Sequence, residues 1–312
     1  MLTSQKTPAV PVKSKPLSKM IGEVAVVAVI QASVLGMQRL DRDASEDSDK
    51  AHAAKIGTAK TVVNRLPGAE KAVAKIKSVQ RRARELLRDR TTAWGPDRRL
   101  MPNVNLQEFL TEYGDLQKEH DTLVAQFGKD AALHINAAKG NLGKYKVTPP
   151  TVDEIKASFS MVFDIQPVPD VASYTTTTGG KAFEQQMREK FEADIGAAYE
   201  EATKDALRKL ALPLRNVIER MAAYDEREKL KAKGETVGKE GTFKTTIIEN
   251  IHDVAKVFRS FNLVGDKFLE QIATELEGFD HVDSEDLKKH KAIRQDVSQR
   301  AKEILKTLDG LM

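Results

Sequence analysis

Ten cations crowd residues 70–99, and no other stretch of this 312-residue chain has residue types and spacing so suited to chemistry. They are Lys71, Lys75, Lys77, Arg81, Arg82, Arg84, Arg88, Arg90, Arg98 and Arg99, against the acids Glu70, Glu85, Asp89 and Asp97. At 3.6 residues per turn, Lys77, Arg81, Arg84 and Arg88 share one helix face. Such a stripe can follow a phosphate backbone or meet an acidic protein surface. The only tryptophan, Trp94, comes next. An indole beside arginines can stack on a base or on a guanidinium. The binding candidates are therefore Lys77, Arg81, Arg84, Arg88, Trp94, Arg98 and Arg99. The plain alternative is a helix end whose cations oppose the helix dipole, with Trp94 plugging a core.

Other routes to chemistry are closed by what the sequence lacks. There is no cysteine, which excludes disulfides, thiolate metal sites and cysteine nucleophiles. The six histidines (His52, His120, His134, His252, His281 and His290) stand apart, none in the i, i+4 pairing of a metal helix. His120 lies on an apolar seam and reads as a packed side chain. His281, between Asp280 and Asp283, reads as part of a solvated helix start. The Gly180-Lys181 and Gly238-Lys239 pairs lack the first glycine and the hydroxyl of a phosphate-binding loop. No G-x-S-x-G elbow occurs. The sequence assigns no catalytic residue, metal ligand or cofactor, and the chain reads as a non-enzyme.

The elements that must position the cations are mostly helices. Charged residues make up 31% and aromatics 5%, so the cores must be largely aliphatic. The net charge of +4 is too small, by itself, to mark a nucleic-acid binder. Residues 1–18, with Pro8, Pro11 and Pro16, read as a flexible N-terminal arm. The rest, 19–312, reads as one elongated helical domain. The apolar stretch 24–35 is too short to span a membrane, and its β-branched content predicts a strand near 23–35. A helix is expected from about Ser45 to Leu66, and another from 69 to 90. The Gly95-Pro96 pair then turns the chain.

Leu106, Phe109, Tyr113, Leu116, His120, Leu123 and Phe127 alternate steps of three and four, as in a coiled-coil seam. Thr151 should cap a short helix. Alternation at Phe159, Met161, Phe163 and Ile165 predicts a second strand near 158–166. A polar turn is expected at 175–180, and a long helix from 181 to about 232. That helix carries a second seam, Leu207 to Tyr224, and Pro213 inside the seam should kink or divide it. A charged loop at 234–241 precedes helices at 243–261, 267–277 and 284–309. The last holds a third seam through Ile293, Val297, Ala301, Ile304, Leu308 and Leu311.

The order of these landmarks resembles a known family. It runs from an apolar opening strand through an Arg-rich helix end to a Trp-Gly…Arg-Leu-Met-Pro-Asn block and an aromatic-seamed helix. A Phe-x-Met-x-Phe…Pro-Val-Pro-Asp strand and a Phe-Asn-Leu-x-Gly-Asp turn follow. The pattern, over about 21–309, is similar to the phage and prophage family known only as domain of unknown function 3150. The resemblance implies a phage protein in the cytoplasm of the infected host, with virion association left open. It also implies co-encoded partners that include an AAA+ ATPase.

The expected fold is mainly α: long antiparallel helices with coiled-coil-like seams and a small β element of two strands. The expected function is a self-associating scaffold or adaptor that forms a homo-oligomer. Two alternatives stand beside it. One is nucleic-acid binding in phage replication or packaging through the Arg-rich helix end. The other is membrane action through an apolar β tongue, without a stable membrane span.

Overall fold

A computed structural model describes residues 15–171, 180–234, 255–279, 282 and 284–310. They are mostly helical, with a small β element. The helices are α1 (Leu17–Val24), α2 (Arg42–Ala51), α3 (Glu70–Arg90), α4 (Asn103–Asn141), α5 (Val152–Ser158), α6 (Gly180–Ala232), α7 (Lys267–Glu277), α8 (Ser284–Lys289) and α9 (Lys291–Asp309), and residues 255–260 are helical as well. The strands are β1 (Ala25–Ser33), β2 (Gln38–Asp41), β3 (Thr61–Asn64), β4 (Thr92–Ala93), β5 (Arg99–Pro102) and β6 (Ser160–Pro167). The β element is thus larger than the two strands expected. Four strands are ordered β4-β5-β1-β6, and β2 pairs with β3 in a separate ribbon. The β2–β3 ribbon is antiparallel, with Leu40 opposite Val62. So is the β4–β5 hairpin, with Thr92 opposite Leu100.

The chain forms two compact units. The described residues of the first fall within Met1–Val27, Thr91–Val104 and Gln166–Met312. Its larger core gathers Leu207, Leu210, Leu214, Val217 and Met221 of α6 with Val297, Ala301, Ile304 and Leu308 of α9. The second and third seams are therefore buried within this unit. A smaller core joins Ile21, Ala25, Leu100, Val171, Ile195 and Ala202, with Trp94 and Phe191 packed on it.

The second unit comprises Ala28–Arg90 and Asn105–Ile165. Its core joins Leu66, Val73 and Ile76 to Phe127, Ala131, Ile155 and Phe159. The first seam also turns inward here. Phe109 and Tyr113 of α4 meet Phe163 of β6, with ring centroids 4.7 and 5.6 Å away. Burial pushes the Tyr113 phenol pKa up. His120 is 2% exposed. Its Nε2 lies 3.3 Å from Gln80 Nε2, and its Nδ1 lies 3.2 Å from Asp121 Oδ1. It is a packed side chain, as its place on the seam suggested.

Several boundaries differ from the sequence expectations. The stretch read as arm and strand start is the two-turn helix α1. Its first free N–H groups find partners: Lys19 N donates to Pro16 O, and Ser18 N donates to Glu192 Oε1 at 3.2 Å. The helix expected to reach Leu66 ends at Ala51. Asp49 accepts from Gly57 N and Ala59 N, both at 2.7 Å, folding the chain back into β3. That helix starts earlier than Ser45, at Arg42, and Asp41 caps it, accepting from Ala44 N. The expected last helix is two, α8 and α9, because His290 adopts an extended φ of −115° and ψ of 104° between them. Pro213 lies inside α6 without dividing it. The polar turn at 175–179 and the loop at 235–241 lie outside the described residues, as do His252, His281 and Leu311.

Candidate functional site

The expected binding residues divide between the two units. Lys77, Arg81, Arg84 and Arg88 belong to the second unit, and Trp94, Arg98 and Arg99 belong to the first.

On α3, the buried side is Val73, Ile76, Val79, Gln80, Ala83 and Leu87. The opposite side exposes Lys71, Lys75, Lys77, Arg81, Arg84 and Arg88. This is the amphipathic division expected of a helix packed on one face. Neighbouring cations are engaged by carboxylates of α4. Arg82 Nη2 meets Glu119 Oε1 at 2.5 Å. Arg90 meets Glu108 at 2.9 Å and Glu112 at 2.7 Å. Within the stripe, Arg81 pairs with Glu85 one turn on, at 2.8 Å. Arg84 Nη2 reaches only the Ala32 carbonyl, at 3.4 Å. Lys77 makes no ion pair among the described residues. The stripe therefore keeps a surplus of positive charge on a helix fixed by its apolar side.

The tryptophan block is a hairpin corner. Trp94 N donates to Arg98 O at 3.0 Å, closing the turn between β4 and β5. Gly95 supplies the positive φ of +74° that the turn needs. Arg98 is exposed. Arg99 is not available as a surface cation: its Nη2 donates to Asp205 Oδ2 at 2.9 Å and its Nε to Thr91 Oγ1 at 3.1 Å. Asp205 of α6 also accepts from Ala93 N at 2.9 Å. One carboxylate thus ties both strands of the hairpin to α6. The sequence reading missed Asp205, because the two partners lie 106 positions apart.

Trp94 is half-buried, and it borders a cavity of about 590 Å³ with Asp170, Val171, Phe191, Asp194 and Ile195. The only advance sign of this cavity was the four-residue spacing of Phe191 and Ile195 in α6. A second hollow, in the other unit, places Asp41, Asp43, Glu46 and Asp47 against Lys144 and Lys146. Lys146 pairs with Asp43, and Lys50, which also lines the hollow, lies 3.9 Å from Asp47, so charge there is largely compensated internally. Its ammonium pKa is raised by that hydrogen bond. Among the described residues, no group of three or more histidines and carboxylates is placed to hold a metal ion. Nor is any helix among them long and apolar enough to cross a membrane. The apolar stretch 24–35 is mainly β1, with Val27, Ala28 and Ile30 buried.

No family model, curated protein or solved structure matches the chain.

Proposed function

We propose that this chain is a non-enzymatic phage protein: a helical scaffold or adaptor that self-associates and offers the outer face of α3 to an acidic partner surface. The observation that carries this reading is the surplus charge on α3. Lys71, Lys75, Lys77, Arg81 and Arg84 are exposed along a helix whose other side is locked into a core. A rigid cationic face loses little order on binding and steers acidic partners toward it. The large apolar residues of the seams are used inside each unit, which leaves charged faces for partners. An AAA+ ATPase is the partner class that the family resemblance suggests, and the host cytoplasm the setting.

The test is co-purification from infected cells, with the mass measured by light scattering on the same sample. A multimeric mass is expected, together with partners lost from the triple variant Lys77→Glu, Arg81→Glu, Arg84→Glu. A monomeric mass with partners unchanged in that variant defeats the proposal.

A second reading, nucleic-acid binding, is favoured by one detail. Lys77 and Arg84 lack carboxylate partners among the described residues, so neutralising phosphates breaks no ion pair of theirs. It predicts salt-dependent binding of DNA or RNA that weakens when Arg81, Arg84 and Arg88 all become Ala. Unchanged binding removes this site.

A further inference from the structure

The cavity beside Trp94 has a charge opposite to the one first attached to that tryptophan. Helix α6 lines one wall with Phe191, Asp194 and Ile195, spaced i, i+3 and i+4 and so on one face. The segment after β6 contributes Asp170 and Val171, and Trp94 closes a third side. Phe191 and Trp94 both rest on the smaller core of the first unit, which holds their rings in place. Ile195 and Val171 are buried, whereas Asp170 and Asp194 stand exposed at the mouth. Among the described residues, no lysine or arginine lines the cavity. Asp194 makes no ion pair among the described residues.

An aromatic and aliphatic floor under a carboxylate rim selects a definite chemistry. A phosphate entering to let a base stack on Trp94 would face the Asp194 carboxylate, so nucleic acid is disfavoured here. A cation with an apolar body gains on both counts. Its charge is attracted by the rim and by the ring faces, and a guanidinium can take a carboxylate in paired hydrogen bonds. The volume lies within the range that holds one small ligand or one long side chain.

We infer that this cavity binds an organic cation of the alkylguanidinium or alkylammonium class. The cation can come from a basic side chain of a protein partner or from a free small amine. The site goes beyond the cationic face of α3 and does not depend on it, since it lies in the other unit and has the opposite sign.

Trp94 is the only tryptophan, so indole emission reports on this cavity alone. The full-length protein is titrated with n-butylguanidinium, with a capped tripeptide centred on arginine, and with uncharged n-butylurea. A saturable change in emission is expected with the two cations and not with the urea. Asp194→Asn should weaken it about threefold, the order of one solvent-exposed ion pair. Ala198 of α6 also lines the cavity, and Ala198→Leu, which fills it without altering its charge, should also weaken binding. Circular dichroism of both variants should match the parent. Tighter binding of the tripeptide identifies a partner side chain as the source, and tighter binding of butylguanidinium identifies a free cation. An equal response to butylurea overturns the inference. So does undiminished binding in both variants, or no response to either cation by fluorescence and calorimetry.

Discussion

Arg65 is 7% exposed yet keeps its charge inside the second unit. Its Nη1 and Nη2 meet the two oxygens of Glu154 at 2.6 and 3.1 Å, and its Nε donates to Thr148 O at 3.2 Å. Burying a guanidinium is tolerable only when its donors are used in this way. Arg65→Ala strands Glu154 and the Thr148 carbonyl, and should lower unfolding stability by about 2 kcal/mol in a urea titration. The hydrogen bond from Arg65 holds the Glu154 carboxyl below its usual value of 4.5. The folded chain therefore binds this proton less readily than the unfolded chain. Its contribution is full above pH 4.5 and fades as pH falls through the lower folded value. It is a modest contribution, because the Glu154 side chain is 38% exposed and screened by solvent. Melting temperatures measured down through this range should fall less steeply for Glu154→Gln than for the parent. Such pairs were illegible in the sequence. Arg65 sits beside an apolar residue before Pro67 and looks like surface punctuation, while its partner lies 89 positions away. His120 was legible, because its place on an apolar seam announces packing.

Helix α6 shows how far reasoning by element reaches. A long helix over 181–232 was readable from its seam, and α6 spans Gly180–Ala232. A kink or division at Pro213 was also expected, and α6 runs through it undivided. Pro213 has no N–H for the carbonyl one turn back, yet Leu210, Ala211, Leu214 and Val217 around it are all buried in the larger core of the first unit. Packing on both sides of the proline outweighs its local preference. Pro213→Ala should therefore raise the stability of the full chain, by up to about 3 kcal/mol in thermal or urea unfolding. The cap at Thr151 was legible: its side chain accepts from Glu154 N at 3.1 Å. The end of α2 was not. The turn that stops it is built by Asp49 reaching forward to Gly57 and Ala59, and no Gly-Pro pair marks the place.

At the scale of the whole molecule, the sequence conveyed a mainly helical chain with a small β element, but not how the candidate residues would be shared out. The basic stripe was read as leading into the tryptophan corner, because 88 and 94 are near neighbours along the chain. Contacts made far along the chain assign them to different units: α3 to a core with Phe127 and Ile155, and Trp94 to one with Val171 and Ile195. Charge separates with them, into a cationic helix face in one unit and a carboxylate-rimmed cavity in the other.

That division of the chain also sets an order of events during translation. Every residue of the second unit has been synthesised by Ile165, whereas the first unit still lacks all of Gln166–Met312, which supplies the whole of its larger core. Its opening helix and its tryptophan hairpin must wait, their apolar faces uncovered, until the ribosome has delivered α6. Ribosome-bound chains arrested far enough past residue 165 for Ile165 to leave the exit tunnel should give a protease-resistant core within 28–165, while Trp94 remains fully solvated until arrest points well beyond residue 202. The interval between those points is when the nascent chain is most exposed to chaperones and to aggregation.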